Sequence, residues 1–165
     1  MDNVLPDLLK KKLNIVFCGT AAGNSSAKKQ YYYAHSTNNF YDTLFKVGLT
    51  DRLIRPSEYK ELLNYNLGLT DLAKNTHGND SVLEDSDFDI IDFSKKIKLY
   101  QPNILCFNGK AAASVFLYGT KSQTKKISYG LVDIKIDNTK LFVAPSTSSA
   151  GRGYFDIKYW KSLCI

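Results

Sequence analysis

Three short apolar runs decide what this chain can fold into: "NIVFC" at 14–18, "NILCF" at 103–107 and "KLFVA" at 140–144. Each reads as a buried strand bounded by turn formers. The segments between them carry helical spacing. Phe40, Tyr41, Leu44 and Phe45 share a face, with Thr37 or Asn38 as a cap and Gly48 as the stop. A second helix after Pro56 carries Tyr59, Leu62 and Leu63, and a third carries Ile90, Ile91 and Ile97 after the polar loop "NTHGNDSVLEDSD" at 75–87. "KAAASVFLYG" reads as a helix ended by Gly119, and the final segment places Phe155, Tyr159 and Leu163 at helical spacing. "LVDIKI" and "KLFVAP" flank Asp137, Asn138 and Thr139, so they pair through a tight turn. Strands alternating with helices predict an α/β fold, a three-layer sandwich with a central, mainly parallel sheet of four to five strands. The 165 residues make one domain, 1–165, with no repeat or linker.

The strand ends show where such a fold works. Ligands of open α/β sheets bind beyond the carboxyl ends of the strands, where loops gather residues distant in sequence. Here those loops are "GTAAGNSSA", "NGKAAA" and "PSTSSAGRGY", which together can form one site. Gly19 and Gly23 leave the first loop's backbone unshielded, so a ligand can approach the main chain closely.

Composition narrows the partner. Lys and Arg number 22 against 16 Asp and Glu, a formal charge of +6, which suits an anionic partner such as nucleic acid and equally suits a solvated basic surface. Cys18, Cys106 and Cys164 lack paired spacing, and two histidines lie in unrelated contexts, so neither a metal site nor a cofactor is expected. Cys18 and Cys106 read as small buried hydrophobes, and free thiols suit a reducing compartment. No apolar run reaches membrane-spanning length, and the lysine-rich start is neither a signal peptide nor an anchor.

Taken in order, "LNIVFCGTAAGNSSA", "YAHSTNNFYDTLFKVGLTDR", "GLTDLA", "LCFNGKAA" and "VAPSTSSAGR" resemble the mismatch-specific uracil/thymine DNA glycosylases of the uracil-DNA glycosylase superfamily, over roughly residues 13 to 160. The resemblance implies an enzyme of base excision repair that flips a damaged base from DNA and hydrolyses its N-glycosidic bond. In the implied pocket Tyr33 is the stacking aromatic, and the backbone at Gly19, Thr20 and Ala21 meets the base's carbonyl edge. Asn108 offers a carbonyl and an amide to O4 and N3–H, while His35 supports the pocket or the leaving base. Ser146, Thr147 and Ser148 hold flanking phosphates. Ala150 stands where some relatives carry a larger wedge, which leaves Arg152 to fill the vacated stack. Lys110, Lys28 and Lys29 attract phosphate diffusely.

The resemblance breaks at the first motif. Relatives with Gly-x-Asn-Pro-Gly use the asparagine to position water, whereas "GTAAG" has Ala21 and Ala22 there. Asp71 in "GLTDLA" is the matching acidic candidate for catalysis, with a helix cap as its structural alternative, and Asp80 and His77 rank below it. Three readings therefore stay open: a monofunctional uracil-DNA glycosylase, a glycosylase for another deaminated base such as hypoxanthine, and a lesion-binding module that does not cleave. The expected partner is DNA, duplex with a mispaired or damaged base or single-stranded. A monomer is expected, in the cytoplasm near the nucleoid of a prokaryote or in the nucleus of a eukaryote.

Overall fold

The computed structural model describes residues 3–164. Five strands form one sheet in the order β2-β1-β3-β5-β4: β1 (Ile15–Gly19), β2 (Leu67–Asp71), β3 (Ile104–Asn108), β4 (Gly130–Ile136) and β5 (Thr139–Ala144). β1 pairs in parallel with β2 and β3, β3 pairs in parallel with β5, and only β4 runs antiparallel to its neighbour β5. Parallel strands covered on both faces have no solvent side to mark with polar residues. Hence Ile15, Val16, Phe17 and Cys18 are all buried.

Helices cover both faces. On one side Phe17 stacks on Trp160 at 5.7 Å and meets Phe40 edge-on at 5.2 Å, joining α2 (Phe40–Lys46) and α5 (Ile157–Lys161) to the sheet. The Trp160 indole N–H donates to the Pro145 carbonyl at 2.9 Å, so the ring is buried with its polar end satisfied. On the other side Val16, Cys18, Leu105 and Phe107 pack against α3 (Ile90–Tyr100) and α4 (Lys110–Tyr118). Buried Ala112 and Ala113 belong to this cluster. Gly119 ends α4 in the left-handed region at φ 74, as a helix-stopping glycine does. Cys18 and Cys106 are both fully buried, and burial raises both thiols well above their ordinary range.

Several local expectations are corrected. "GLTDLA" is not a helix start: Leu67–Asp71 is the fully buried strand β2, and Asp71 is its last residue. Ile91 does not join the core; it is 72% exposed, because Asp89 caps α3 by accepting the Asp92 N–H and so phases Phe93 and Ile97 inward. α2 starts at Phe40, and Asn38 takes the Phe40 N–H at 3.0 Å through its side chain. Pro56–Tyr65 is 3₁₀, and α5 is confined to Ile157–Lys161, with Trp160 and Leu163 rather than Tyr159 buried. A short helix, α1 (Asn24–Lys29), occupies part of the small-residue loop.

The outer edge of β2 is covered by the segment before β1. Leu8 and Leu69 exchange both backbone hydrogen bonds at 2.9 Å, and Val4 N–H donates to the Lys74 carbonyl at 2.8 Å. Gly68 is required there, since a Cβ would sit 2.6 Å from the Leu8 carbonyl oxygen.

Candidate active site

The carboxyl ends of β1, β3 and β5 open into one cavity of about 830 Å³. The three expected loops line it together, through Gly19–Ala21, Asn108–Ala112 and Ser146–Ala150. Tyr33, His35, Asn79, Asp80 and Ser81 line it as well.

The floor is main chain. The carbonyls of Gly19, Thr20 and Ala22 accept from the N–H groups of Leu72, Ala73 and Gly78 at 3.0, 2.7 and 2.9 Å. No acceptor among the described residues takes the N–H of Thr20 or Ala21. Tyr33 holds a positive φ of 53, and its ring lies 4.1 Å from that of Phe40. Its hydroxyl is buried with no hydrogen-bond partner. Burial and then the charge of Asp71 hold that phenol well above its usual range.

Asp71 lies behind this floor. In the β1–β2 register it faces Gly19, and a Cβ on Gly19 would come within 2.8 Å of Asp71 Oδ1. Asp71 is 4% exposed and is not part of the cavity wall. Burial pushes it up to about 6, against the pull of Lys74. Behind it lies an ion cluster: Asp7 pairs with Lys74 at 2.9 Å and Lys96 at 2.7 Å and accepts from the Thr70 hydroxyl at 2.7 Å. Burial alone would raise the Asp7 carboxyl, but the two lysines outweigh it and hold it below its ordinary value.

Asp80, which the sequence ranked lower, lies in the wall itself and accepts the Thr20 hydroxyl at 2.6 Å. Its loop is docked at several points. His77 bridges Ala22 and shares a hydrogen bond with Asn24 at 2.9 Å, while the Lys121 ammonium donates to the carbonyls of Asp80 and Leu83. Neither Lys121 nor its partners form a local motif, so nothing in the sequence marked this contact.

Other expected residues are present but already bonded. Asn108 accepts the Thr147 N–H and donates to its hydroxyl, both at 3.0 Å, and that hydroxyl donates onward to Asn38 at 2.8 Å. One amide N–H of Asn108 remains for a ligand. Ser146 and Ser148 share a hydrogen bond at 2.9 Å, and Ser148 caps the 3₁₀ turn Ser149–Tyr154. Arg152 is exposed and donates to the Thr37 carbonyl at 2.8 Å, outside the cavity wall that includes Ala150. His35 Nδ1 accepts the Thr37 N–H at 3.2 Å and its hydroxyl at 2.7 Å. Lys110 opens α4 at the rim, and Lys28 and Lys29 are exposed in the last turn of α1.

A mainly parallel sheet with three strand ends opening into one cavity, beside a tyrosine ring and ahead of a desolvated carboxylate, is an α/β architecture with its candidate site at the carboxyl ends of the strands. The chain belongs to the uracil DNA glycosylase superfamily, whose family model matches residues 6–164. Among solved structures it is similar to a Methanosarcina acetivorans protein determined by solution NMR and provisionally assigned as a uracil DNA glycosylase. The identity is 21% and the TM-score 0.65, covering 98% of this chain and 93% of that one. That likeness shows the shared fold, and membership of the superfamily makes the chain a DNA glycosylase by class.

Proposed function

We propose that the protein is a monofunctional glycosylase that takes uracil, mispaired or unpaired, from DNA into this cavity and hydrolyses its N-glycosidic bond, leaving an abasic site. The observation that carries the reading is at Gly19: the next two residues, Thr20 and Ala21, line the cavity with N–H groups unaccepted among the described residues, and a Cβ on Gly19 would lie 2.8 Å from the desolvated Asp71 carboxylate. A flipped base needs a stacking surface and donors for its carbonyls. Tyr33 supplies the first, and Thr20 N–H, Ala21 N–H and the spare Asn108 amide supply the second.

Glycosidic cleavage builds positive charge on the sugar, so an anion in a low-dielectric setting stabilises the transition state. Asp71 takes that role and, through the space a side chain at 19 would fill, orients the attacking water. Asp80, held by Thr20, positions the wall on the sugar side. Lys28, Lys29 and Lys110, with the turn braced by Ser146, Thr147 and Ser148, meet the phosphates, and Arg152 fills the stack that the flipped base leaves.

A second reading rests on Ala21, whose small side chain lines a cavity of about 830 Å³ roomy enough for a purine such as hypoxanthine. One panel separates them. Labelled single strands and duplexes containing uracil, mispaired thymine, hypoxanthine or xanthine are incubated with the protein and treated with alkali. Strand cleavage at uracil is the expected result; cleavage at hypoxanthine alone favours the purine reading, and binding without base release overturns both.

A further inference from the structure

Beyond the cavity rim, tyrosines and cations share one surface. Lys110, part of the cavity wall, places its ammonium 4.5 Å from the centre of the Tyr129 ring. Tyr129 packs against Tyr159 of α5 at 5.1 Å, and the Lys158 ammonium lies 5.2 Å from the Tyr159 ring. Tyr154 ends the turn that begins at the rim residues Ser149 and Ala150, and it is 76% exposed. Burial first, then the phenols of Tyr159 and Tyr154, raise the Tyr129 phenol. Asp156 is the sole carboxylate between 149 and 161; it caps α5 and pairs with Lys158 at 3.4 Å.

A single exposed aromatic is ordinary, but this one ends a turn that starts in the cavity wall, and the row Lys110–Tyr129–Tyr159–Lys158 also starts in that wall. Alternating ring faces and cations fit a strand whose bases are free to stack and whose phosphates need neutralising. Bases inside a duplex already stack on one another and have no free face to offer. Resting on the glycosylase reading of the cavity, we propose that Tyr154, together with the row of Tyr129 and Tyr159, is a stacking platform for an unpaired base beside the flipped nucleotide. The protein thereby has a single-stranded DNA site running out of its cavity.

The test uses the full chain and a fluorescent deoxythymidine oligomer without uracil, with affinity read by anisotropy at fixed salt. Tyr154→Ala is expected to weaken binding about ten- to a hundred-fold, the range of one lost base stack. Tyr154→Phe, which keeps the ring, should stay within about twofold of the parent. Tyr118→Ala is the control: Tyr118 is an exposed tyrosine under a lysine at the far end of α4, and its loss should change nothing. A duplex of the same length should lose less than about threefold in Tyr154→Ala, since it offers no free base face.

Equal effects of Tyr154→Ala and Tyr118→Ala, equal losses on single and double strands, or a Phe variant as weak as Ala each overturn the platform. Uracil release from duplex DNA is measured in parallel. Normal release with single-strand binding indifferent to Tyr154 removes the platform alone. Tyr154-dependent binding without release of any base removes the glycosylase reading and leaves a single-strand binding surface.

Discussion

Replacing Asp71 with asparagine tests the proposed chemistry and its energetic cost together. The carboxyl is held at about 6 instead of the 3.8 of an unperturbed aspartate, and burial is the main cause. Because the folded-state value lies above the unfolded one, the penalty is fully present above pH 6 and disappears as pH falls below 3.8. It amounts to about 3 kcal/mol at pH 7 and about 1 kcal/mol at pH 4.5. The amide carries a desolvation cost of its own, but that cost does not vary with pH. Denaturant unfolding of parent and variant at the two pH values should therefore show the variant gaining about 2 kcal/mol relative to the parent between pH 4.5 and pH 7. Single-turnover uracil release at pH 7 should fall about 10²-fold or more in the variant, and the parent's rate should drop below pH 6 as the carboxylate protonates. A stability difference that is the same at both pH values refutes the desolvation. A well-folded variant that cleaves at the parental rate refutes the catalytic assignment and moves it to Asp80.

Gly19→Ala places a methyl 2.8 Å from Asp71 Oδ1, so it should slow base release at least tenfold and cost about 1–3 kcal/mol of stability by crowding, as single-turnover and unfolding measurements would show. Tyr33→Phe removes a buried hydroxyl without a partner and keeps the ring, so unfolding should find it as stable as the parent or more so by about 1 kcal/mol. A loss of stability would mean that the hydroxyl is satisfied in solution. Arg152→Ala should reduce activity most on well-paired duplexes and least on single strands, because only the duplex requires unstacking; equal losses on both would leave Arg152 as a phosphate ligand.

What the sequence carried and what it did not divide along physical lines. β1, β3 and β5 were readable because strands buried on both faces are short continuous apolar runs, and the convergence of their loops follows from parallel pairing alone. β2 escaped because its sequence, Leu-Gly-Leu-Thr-Asp, has only two large apolar residues; its burial depends on the Leu8 segment lying against Gly68. Ile91 was misplaced because helical phase is set by the cap at Asp89, which spacing alone does not fix. In the site, residue types were legible but their commitments were not. Asn108 was read as free for a base edge, yet it spends most of its capacity on Thr147, 39 positions away. Asp80 reaches the cavity wall through a loop that Lys121 clasps from 41 positions away.

The segment from Val4 to Leu8 closes the outer margin of β2, the strand that ends in the proposed catalytic carboxylate. It does so without secondary structure of its own, through reciprocal bonds at Leu8–Leu69 and the ion pairs of Asp7 with Lys74 and Lys96. An uncovered margin of this kind is a template for a strand from another molecule. Lys74 and Lys96 hold the Asp7 carboxyl below its ordinary range, so its ion pairs are expected to persist in mild acid. Peeling the segment away would expose the strand that ends in Asp71, so self-association through this margin and loss of the site's geometry would be a single event.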